Sequence, residues 1–348
     1  MRTLKVETGR PYEILIDKGL IDNCGEHIKK VSKANKIAVI SDTNVFPIYG
    51  EKVVSSCKNA GYEVVSFTFK AGEASKNLTT ISQMYDFLAE NHLTRSDLIV
   101  ALGGGVTGDM AGFAAASYLR GIDFVQIPTS LLAQVDSSVG GKTGVDISAG
   151  KNLVGAFWQP ILVLIDSNSL ATLPQYYIDD GMAEVIKYGC IKDKALFEKL
   201  ENVNAMDCIE DIIYNCVSIK RDVVSRDERE SGERALLNFG HTIGHALEKI
   251  SNFTGLSHGQ GVAIGMVMMT NASEKAGITA NGSTKRVEAL CKKYNLPTDS
   301  DVAKNEIATA SSSEKKTSGS SITLVLLNEI GDSFLKKTPI KDFEGFIS

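Results

Sequence analysis

The chemistry in this chain is concentrated in its histidines. There are five, and three of them, His241, His245 and His258, fall within eighteen residues. His241 and His245 are four apart in Asn238-Phe-Gly-His-Thr-Ile-Gly-His, a spacing that projects both from one face of a helix. Steps of three and four backwards add Asn238 and Arg234 to that face, with Glu230 one turn earlier. The stripe is polar where a packed helix is ordinarily apolar. A lone histidine is more often a satisfied core or surface residue. Three together, two of them at helical spacing, point to a metal site with nitrogen and oxygen ligands, zinc being the expected ion. Thr242 stands directly after His241, where the HExxH peptidases carry a general-base glutamate, so a zinc peptidase is disfavoured.

A catalytic zinc takes three protein ligands and keeps one position open, and a carboxylate is a common third ligand. Glu184 and Lys187 are three apart in GMAEVIK (181–187), an acid and a base facing the same way on another helix. Spacing leaves two readings open for them: a metal ligand with a neighbouring cation, or a surface ion pair.

A second centre lies earlier in the chain. The apolar run 98–102 leads directly into Gly103, Gly104, Gly105, Val106, Thr107, Gly108 and Asp109, and an apolar helical pattern follows. Gly103, Gly105 and Gly108 satisfy GxGxxG in the strand–turn–helix setting that brings a pyrophosphate onto backbone amides, which favours a dinucleotide over a structural turn. Asp42 and Asn44 follow another strand, where polar groups meet the adenosine half of such a cofactor or simply cap a helix. Gly141-Lys142-Thr143 imitates a P-loop, but Asp136 stands where that motif needs glycine and the segment follows a helix, so the P-loop is rejected. What remains is a polar stretch from Asp136 to Lys142, then Lys151 and Asn152, with Arg120 upstream. Lysines set among glycines and asparagine suit a small anion.

The elements that must position these groups fall into two kinds. Residues 12–16, 36–41, 63–69, 97–102, 123–127 and 161–166 are short apolar or β-branched runs, several separated by helical periodicity, which predicts a mostly parallel sheet covered by helices. Beyond Leu173-Pro174 the pattern turns helical, over 179–188, 195–200, 208–227, 233–250, 259–276 and 285–294, and only 321–327 reads as a later strand. The expected division is an α/β domain over 1–172 followed by an all-α domain over 173–348. The serine-rich stretch 311–321 reads as a surface loop.

Composition sets the outer limits. At 348 residues and 43% hydrophobic content the chain buries a core large enough for two domains. Six scattered cysteines without a CxxC pair suit reduced thiols, and a net charge of -5 argues against a general nucleic-acid binder. The N-terminal MRTLKVETGR has no apolar signal core and no apolar run spans a bilayer, so the expected location is the cytoplasm.

In order along the chain, GEASK (72–76), GGGVTGDMAGFAA (103–115), RGIDFVQIPTSLLAQVDSSVGGKTGVD (120–146), GKNLVGAF (150–157), GMAEVIKYG (181–189), RALLNFGHTIGHALE (234–248) and SHGQGVAIGM (257–266) resemble the 3-dehydroquinate synthases. The resemblance implies a Rossmann-like NAD-binding domain, a helical metal- and substrate-binding domain and a homodimer. The implied reaction turns 3-deoxy-D-arabino-heptulosonate 7-phosphate into 3-dehydroquinate and phosphate with NAD and zinc or cobalt. In it Glu184, His241 and His258 match the metal ligands, and His245 becomes a substrate contact. Asp42, Asn44, Glu73 and Lys76 match cofactor-side positions. So do the loop from Gly104 through Gly105, Val106, Thr107 and Gly108 to Asp109, then Thr129, Ser130, Lys142 and Lys151. The turn Ser169, Leu170, Ala171 and Thr172 completes that set. Asp136, Lys142, Asn152, Lys187, Lys220, Arg234 and Asn238 match substrate contacts, and Arg120 matches an arginine that reaches the neighbouring subunit's site.

A substrate with both carboxylate and phosphate accounts for a basic cluster in an acidic protein, and the guanidinium of Arg234 suits the carboxylate. Three departures stand out. The family commonly has asparagine at Asp146, glutamate at Gln260, and Asp-Lys-Lys where this chain has Glu314-Lys315-Lys316. The last leaves open which of Lys315 and Lys316 reaches the phosphate, and makes the serine-rich stretch a possible lid. Rival readings are a sister sugar phosphate cyclase, a metal-dependent polyol or glycerol-phosphate dehydrogenase, and a catalytically silent nucleotide-binding protein.

Overall fold

The computed structural model describes residues 1–251, 255–315 and 320–348, with 312–315 described by backbone alone. Its strands are β1 (Arg2–Val6), β2 (Tyr12–Asp17), β3 (Lys36–Asp42), β4 (Glu63–Phe69), β5 (Leu98–Gly103), β6 (Asp123–Pro128), β7 (Lys142–Ile147), β8 (Gly150–Phe157), β9 (Leu162–Asp166), β10 (Ser321–Glu329) and β11 (Asp332–Pro339). Its helices are α1 (Cys24–Val31), α2 (Glu51–Asn59), α3 (Leu78–Glu90), α4 (Gly105–Ser117), α5 (Gln175–Ile191), α6 (Lys194–Asn202), α7 (Ile209–Arg226), α8 (His241–Ile250), α9 (His258–Lys275), α10 (Ser283–Lys293), α11 (Lys304–Lys315) and α12 (Ile340–Ile347). Contacts divide the chain into a first unit, residues 1–174 with 220–229, and a second, residues 175–219 with 230–348.

The first unit is built on a seven-stranded sheet in the order β1-β2-β9-β6-β5-β3-β4. Only β1 and β2 are antiparallel; every other pairing is parallel. Parallel strands need helical crossovers that cover both faces, so the central strands are continuous apolar runs; every residue of β5 is buried. Alternation splits the core into two layers. Val39 and Val100 pack with Ile28, Val53 and Cys57 from α1 and α2, whereas Ile40 and Ile99 pack with Met84, Leu88, Met110 and Ala114 from α3 and α4.

From β3 the chain moves outward to β4, then returns to place β5 on the other side of β3 and continues away through β6. This reversal is a topological switch point, where the carboxyl ends of β3 and β5 diverge and open α/β sheets bind their ligands. Asp42 ends β3 and Gly103 ends β5.

The second unit is helical apart from the β10–β11 hairpin. Helix α9 is its centre, packing against α5, α8, α10 and α12. It begins at a capping box in which the Ser257 hydroxyl accepts from the Gln260 amide while the Gln260 side chain accepts from the Ser257 amide. Among the described residues no helix is long and apolar enough to cross a membrane. All six cysteines are free thiols.

Several elements differ from the sequence expectation. The single helix over 233–250 is two: a 3-10 segment, Glu233–Asn238, and then α8, separated at Gly240, whose φ of 80° no α-helical residue adopts. Arg234 and Asn238 therefore do not share one helix with His241 and His245. Gly141-Lys142-Thr143 enters β7 rather than opening a helix, as its rejection as a P-loop requires. β1, the β7–β8 hairpin and β11 were not expected as strands. Residues 311–315 extend α11, and Lys316, on which the phosphate question partly turned, lies outside the described residues.

Candidate functional site

In the second unit, α5, α8 and α9 each deliver one side chain to a common point. Ligand atoms of Glu184, His241 and His258 lie within 4.8 Å of one another, a grouping able to hold a metal ion. Glu184 Oε1 is 3.1 Å from His258 Nε2 and 3.4 Å from His241 Nε2. The approach depends on glycines. A Cβ on Gly244 would lie 2.9 Å from the backbone of Gly261, and one on Gly265 would lie 2.0 Å from the Gly240 carbonyl oxygen. These contacts pair Gly240 with Gly265 and Gly244 with Gly261, an antiparallel register that carries the far end of α8 past the start of α9.

The outer nitrogens of both imidazoles are already engaged. His241 Nδ1 is 3.1 Å from the Phe239 carbonyl oxygen, which can only accept, so Nδ1 carries the hydrogen and Nε2 keeps its lone pair. His258 Nδ1 donates in the same way to Glu248 Oε1 at 3.1 Å. Asp180, one turn before Glu184 on α5, accepts from the Gly259 amide at 2.7 Å and so ties the first turn of α9 to α5. Two imidazole nitrogens and one carboxylate, each with its outer atoms held, form a donor set suited to a zinc-like ion.

Charge around the point is finely opposed. Glu184 and Lys187 are each only 1% exposed and form an ion pair. Burial works against the Glu184 carboxylate, but the Lys187 ammonium and the two histidines outweigh it and hold its carboxyl well below the usual range. Burial holds His241 down to about 4. Burial also pushes His258 down, yet its hydrogen bonds to Glu184 and Glu248 prevail and raise it to about 10. The ion pair expected at the surface is instead buried, and it does not compete with the other reading: Glu184 faces the histidines through Oε1 and Lys187 through Oε2.

His245 stands beside this group. Its ring centroid is 5.5 Å from that of His241 and 6.0 Å from that of His258, but it offers no atom to the ligand set. Arg234, 2% exposed, is the largest fully buried side chain among the described residues, and Asn238 Nδ2 donates to Glu230 Oε1 at 2.6 Å.

In the first unit the glycine loop occupies the switch point. Gly104 caps α4 without a side-chain hydrogen bond, which leaves the first-turn amides available to an anion. Gly108 lets α4 lie against β6, where a Cβ would meet Gln126 Oε1 at 2.7 Å. Asp42 folds the chain after β3, accepting from the Asn44 and Val45 amides, and also accepts from the Thr107 hydroxyl at 3.3 Å. Thr129 and Ser130 follow β6, and the Thr129 amide donates to the Gly103 carbonyl. The turn 169–172 is fastened through Ser169 to Gln134 and through Thr172 to Tyr49.

Lys76, 5% exposed, joins two of these segments: its Nζ is 2.6 Å from Asp109 Oδ2 and 2.6 Å from Asn152 Oδ1. Burial pushes the Asp109 carboxyl up, and Lys76 opposes this only in part. Glu73 lies beside Lys76, at 3.9 Å. Asp136 pairs with Lys220 at 2.9 Å, within the first unit, because 220–229 belong to it. Lys142 and Lys151 lie on the β7–β8 hairpin, and Arg120 is exposed on a turn with φ 70°.

Sequence reasoning named neither Glu248 nor Asp180. Glu248 is seven residues after His241, two helical turns along the same face, and that spacing was its available signal. Asp180 had only its place one turn before Glu184.

A family model described as 3-dehydroquinate synthase N-terminal matches residues 66–180, and one described as 3-dehydroquinate synthase C-terminal matches 181–317. The 3-dehydroquinate synthase of Clostridium acetobutylicum is 50% identical over 348 residues, covering 98% of each chain. Among solved structures, a 2-deoxy-scyllo-inosose synthase complexed with carbaglucose-6-phosphate, NAD+ and Co2+ superposes with a TM-score of 0.88 at 24% identity, covering 99% of both chains. The 2-epi-5-epi-valiolone synthase ValA of Streptomyces hygroscopicus subsp. jinggangensis, with NAD+ and Zn2+ bound, gives 0.86 at 24% identity, covering 100% of this chain and 98% of that one. At that identity these two establish the fold.

Proposed function

The chain belongs to the 3-dehydroquinate synthase family, and we propose that it converts 3-deoxy-D-arabino-heptulosonate 7-phosphate to 3-dehydroquinate and phosphate, a step of the shikimate pathway leading to aromatic amino acids. The observation that carries this reading is 50% identity across 98% of both chains to a 3-dehydroquinate synthase, against 24% to the sister cyclases that share the fold. NAD and a divalent ion are its cofactors; both sister cyclases were solved with NAD+, one with Co2+ and one with Zn2+.

NAD, when bound, would accept a hydride from C5 and later return it as NADH; between those two transfers the C5 ketone would acidify the C6 proton and allow phosphate to leave, after which ring opening and an intramolecular aldol would close the carbocycle. The reaction is a lyase reaction with no net redox change. Residues 1–172 supply the NAD domain, whose amides from Gly104 to Asp109 would hold the pyrophosphate, with Asp42 and Thr107 near the carboxyl ends of β3 and β5. The second unit, residues 175–219 with 230–348, supplies the metal-binding part. Glu184, His241 and His258 would hold the ion, whose Lewis acidity would favour loss of the proton from the hydroxyl to be oxidised.

Arg234 takes the substrate carboxylate through its planar fork, a role its burial favours because a buried guanidinium is fixed in direction and strong in field. Lys187, Asn238 and His245 orient the carbon chain, and Asp136, Lys142, Asn152 and Lys220 match the family's remaining substrate contacts. The departing phosphate itself helps remove the C6 proton, with the basic groups orienting it. The protein works as a cytoplasmic homodimer in which Arg120 reaches the neighbouring site. Its exposure on a tight turn supports that role.

Incubating the metal-loaded protein with the heptulosonate phosphate and NAD tests this reading. Phosphate should appear continuously while NADH does not accumulate. Stoichiometric NADH without phosphate would place the chain among the dehydrogenases instead.

A further inference from the structure

We propose that Glu248 is a positioning residue of the metal centre: it fixes the ring direction and tautomer of His258, so that Nε2 is the nitrogen presented beside Glu184 and His241. The proposal rests on the reading of Glu184, His241 and His258 as metal ligands.

Three observations carry it. Glu248 Oε1 is 3.1 Å from His258 Nδ1, while His258 Nε2 is 3.1 Å from Glu184 Oε1, so the ring is held at both nitrogens and cannot turn. Glu248 is 3% exposed on a helix whose neighbouring buried residues are Leu247 and Ala246. A carboxylate at such a place costs stability unless it is bound, and an apolar side chain would pack there at least as well, so stability alone does not explain an acid. The glycine register of α8 on α9, pairing 240 with 265 and 244 with 261, continues to put 248 level with the first residues of α9. One helix thus provides a ligand, His241, and two turns later the group that aims the ligand of its partner helix. A carboxylate on the outer nitrogen also makes the inner nitrogen a stronger donor.

Co2+ alone, titrated into the metal-stripped full-length protein and followed by its visible spectrum, tests the proposal with Glu248→Ala and Glu248→Gln. Glu248→Ala should weaken Co2+ binding by about 10- to 100-fold. Glu248→Gln keeps an acceptor oxygen and should fall between that variant and the unsubstituted protein. NAD affinity should be unchanged in both. In the zinc-loaded protein, 15N spectra of labelled histidine should show His258 as the Nδ1-protonated tautomer, and this signal should broaden or split in Glu248→Ala. Co2+ binding by Glu248→Ala within about threefold of the parent would overturn the proposal. So would an equal loss in both variants that tracks falling thermal midpoint and NAD affinity, the mark of a packing role. If the unsubstituted protein and His241→Ala bind Co2+ equally poorly, the metal-ligand reading itself fails, and the proposal with it.

Discussion

Glu184 Oε1 stands 3.1 Å from His258 Nε2 across 74 positions of sequence, joining α5 to the first turn of α9. The same carboxylate faces His241 on one side and the Lys187 ammonium on the other. Its ionised form is favoured by three neighbours at once, which is the state a metal ligand requires.

That arrangement couples metal uptake to a proton. In metal-free protein His258 is raised from its ordinary 6.5 to about 10, whereas His241 is held down to about 4. Around pH 8, zinc uptake should therefore release about one proton per ion, from His258, and affinity should rise with pH until that proton is lost near 10. Because the folded-state value is the higher one, the protonated ring stabilises metal-free protein fully below 6.5 and loses that contribution as pH rises through about 10. Calorimetry in buffers of different ionisation enthalpy counts the proton; a count near zero at pH 8 contradicts the assignment.

Arg234 offers a separable test. Arg234→Lys retains the charge but not the two-pronged geometry, and should raise KM for the heptulosonate phosphate by about 10- to 100-fold. Metal content and NAD affinity should stay at parent values. Loss of zinc from this variant would show that the 3-10 segment carrying Arg234 supports the metal centre rather than the substrate.

The helix pair can be tested without touching a ligand. Gly244→Ala inserts a methyl group 2.9 Å from the Gly261 backbone, so α8 and α9 must separate. Overpacking of this kind costs about 1–3 kcal/mol, and the lowered thermal midpoint should come with weaker zinc binding. A variant with parent stability and parent affinity would mean that the glycine contact does not set the distance between His241 and His258.

Lys76 makes the corresponding prediction for the first unit. Lys76→Ala leaves Asp109 without the ammonium 2.6 Å away and frees Asn152 from the same group. NAD affinity should drop about tenfold or more, with Co2+ binding untouched. Unchanged NAD binding would remove Lys76 and Asp109 from the cofactor side.

The sheet was legible wherever strands are buried on both faces. Residues 36–41, 97–102 and 161–166 were expected as strands and became β3, β5 and β9 with ends shifted by a residue, because a parallel central strand must be apolar throughout. β7 and β8 escaped notice because Lys142, Gly144, Gly150 and Gly155 break any apolar run. Gly144 and Gly155 are there because the two backbones meet too closely for side chains. β11 is hidden for a different reason: an edge strand of one hairpin, with Lys336, Lys337 and Pro339, has little to bury. At the site, the histidine spacing pointed to the region where His241 and His258 meet Glu184 but joined too much into one helix; Phe239-Gly240 carries the break, and glycine inside a helical pattern was the visible signal. Spacing on one helix could not reveal that Glu184 arrives from α5 and Glu248 from the far end of α8. Those are facts of packing, and only the resemblance anticipated the first.

The most direct test of the metal centre compares two histidines four residues apart. His241→Ala and His245→Ala should be purified identically and their bound zinc measured by mass spectrometry. His241 belongs to the group that could hold a metal ion and His245 stands beside it, at 5.5 Å between ring centroids. His241→Ala should therefore emerge without zinc, while His245→Ala should retain a full complement and lose turnover. Equal depletion of zinc in both variants, or a zinc-replete His241→Ala, would contradict the account.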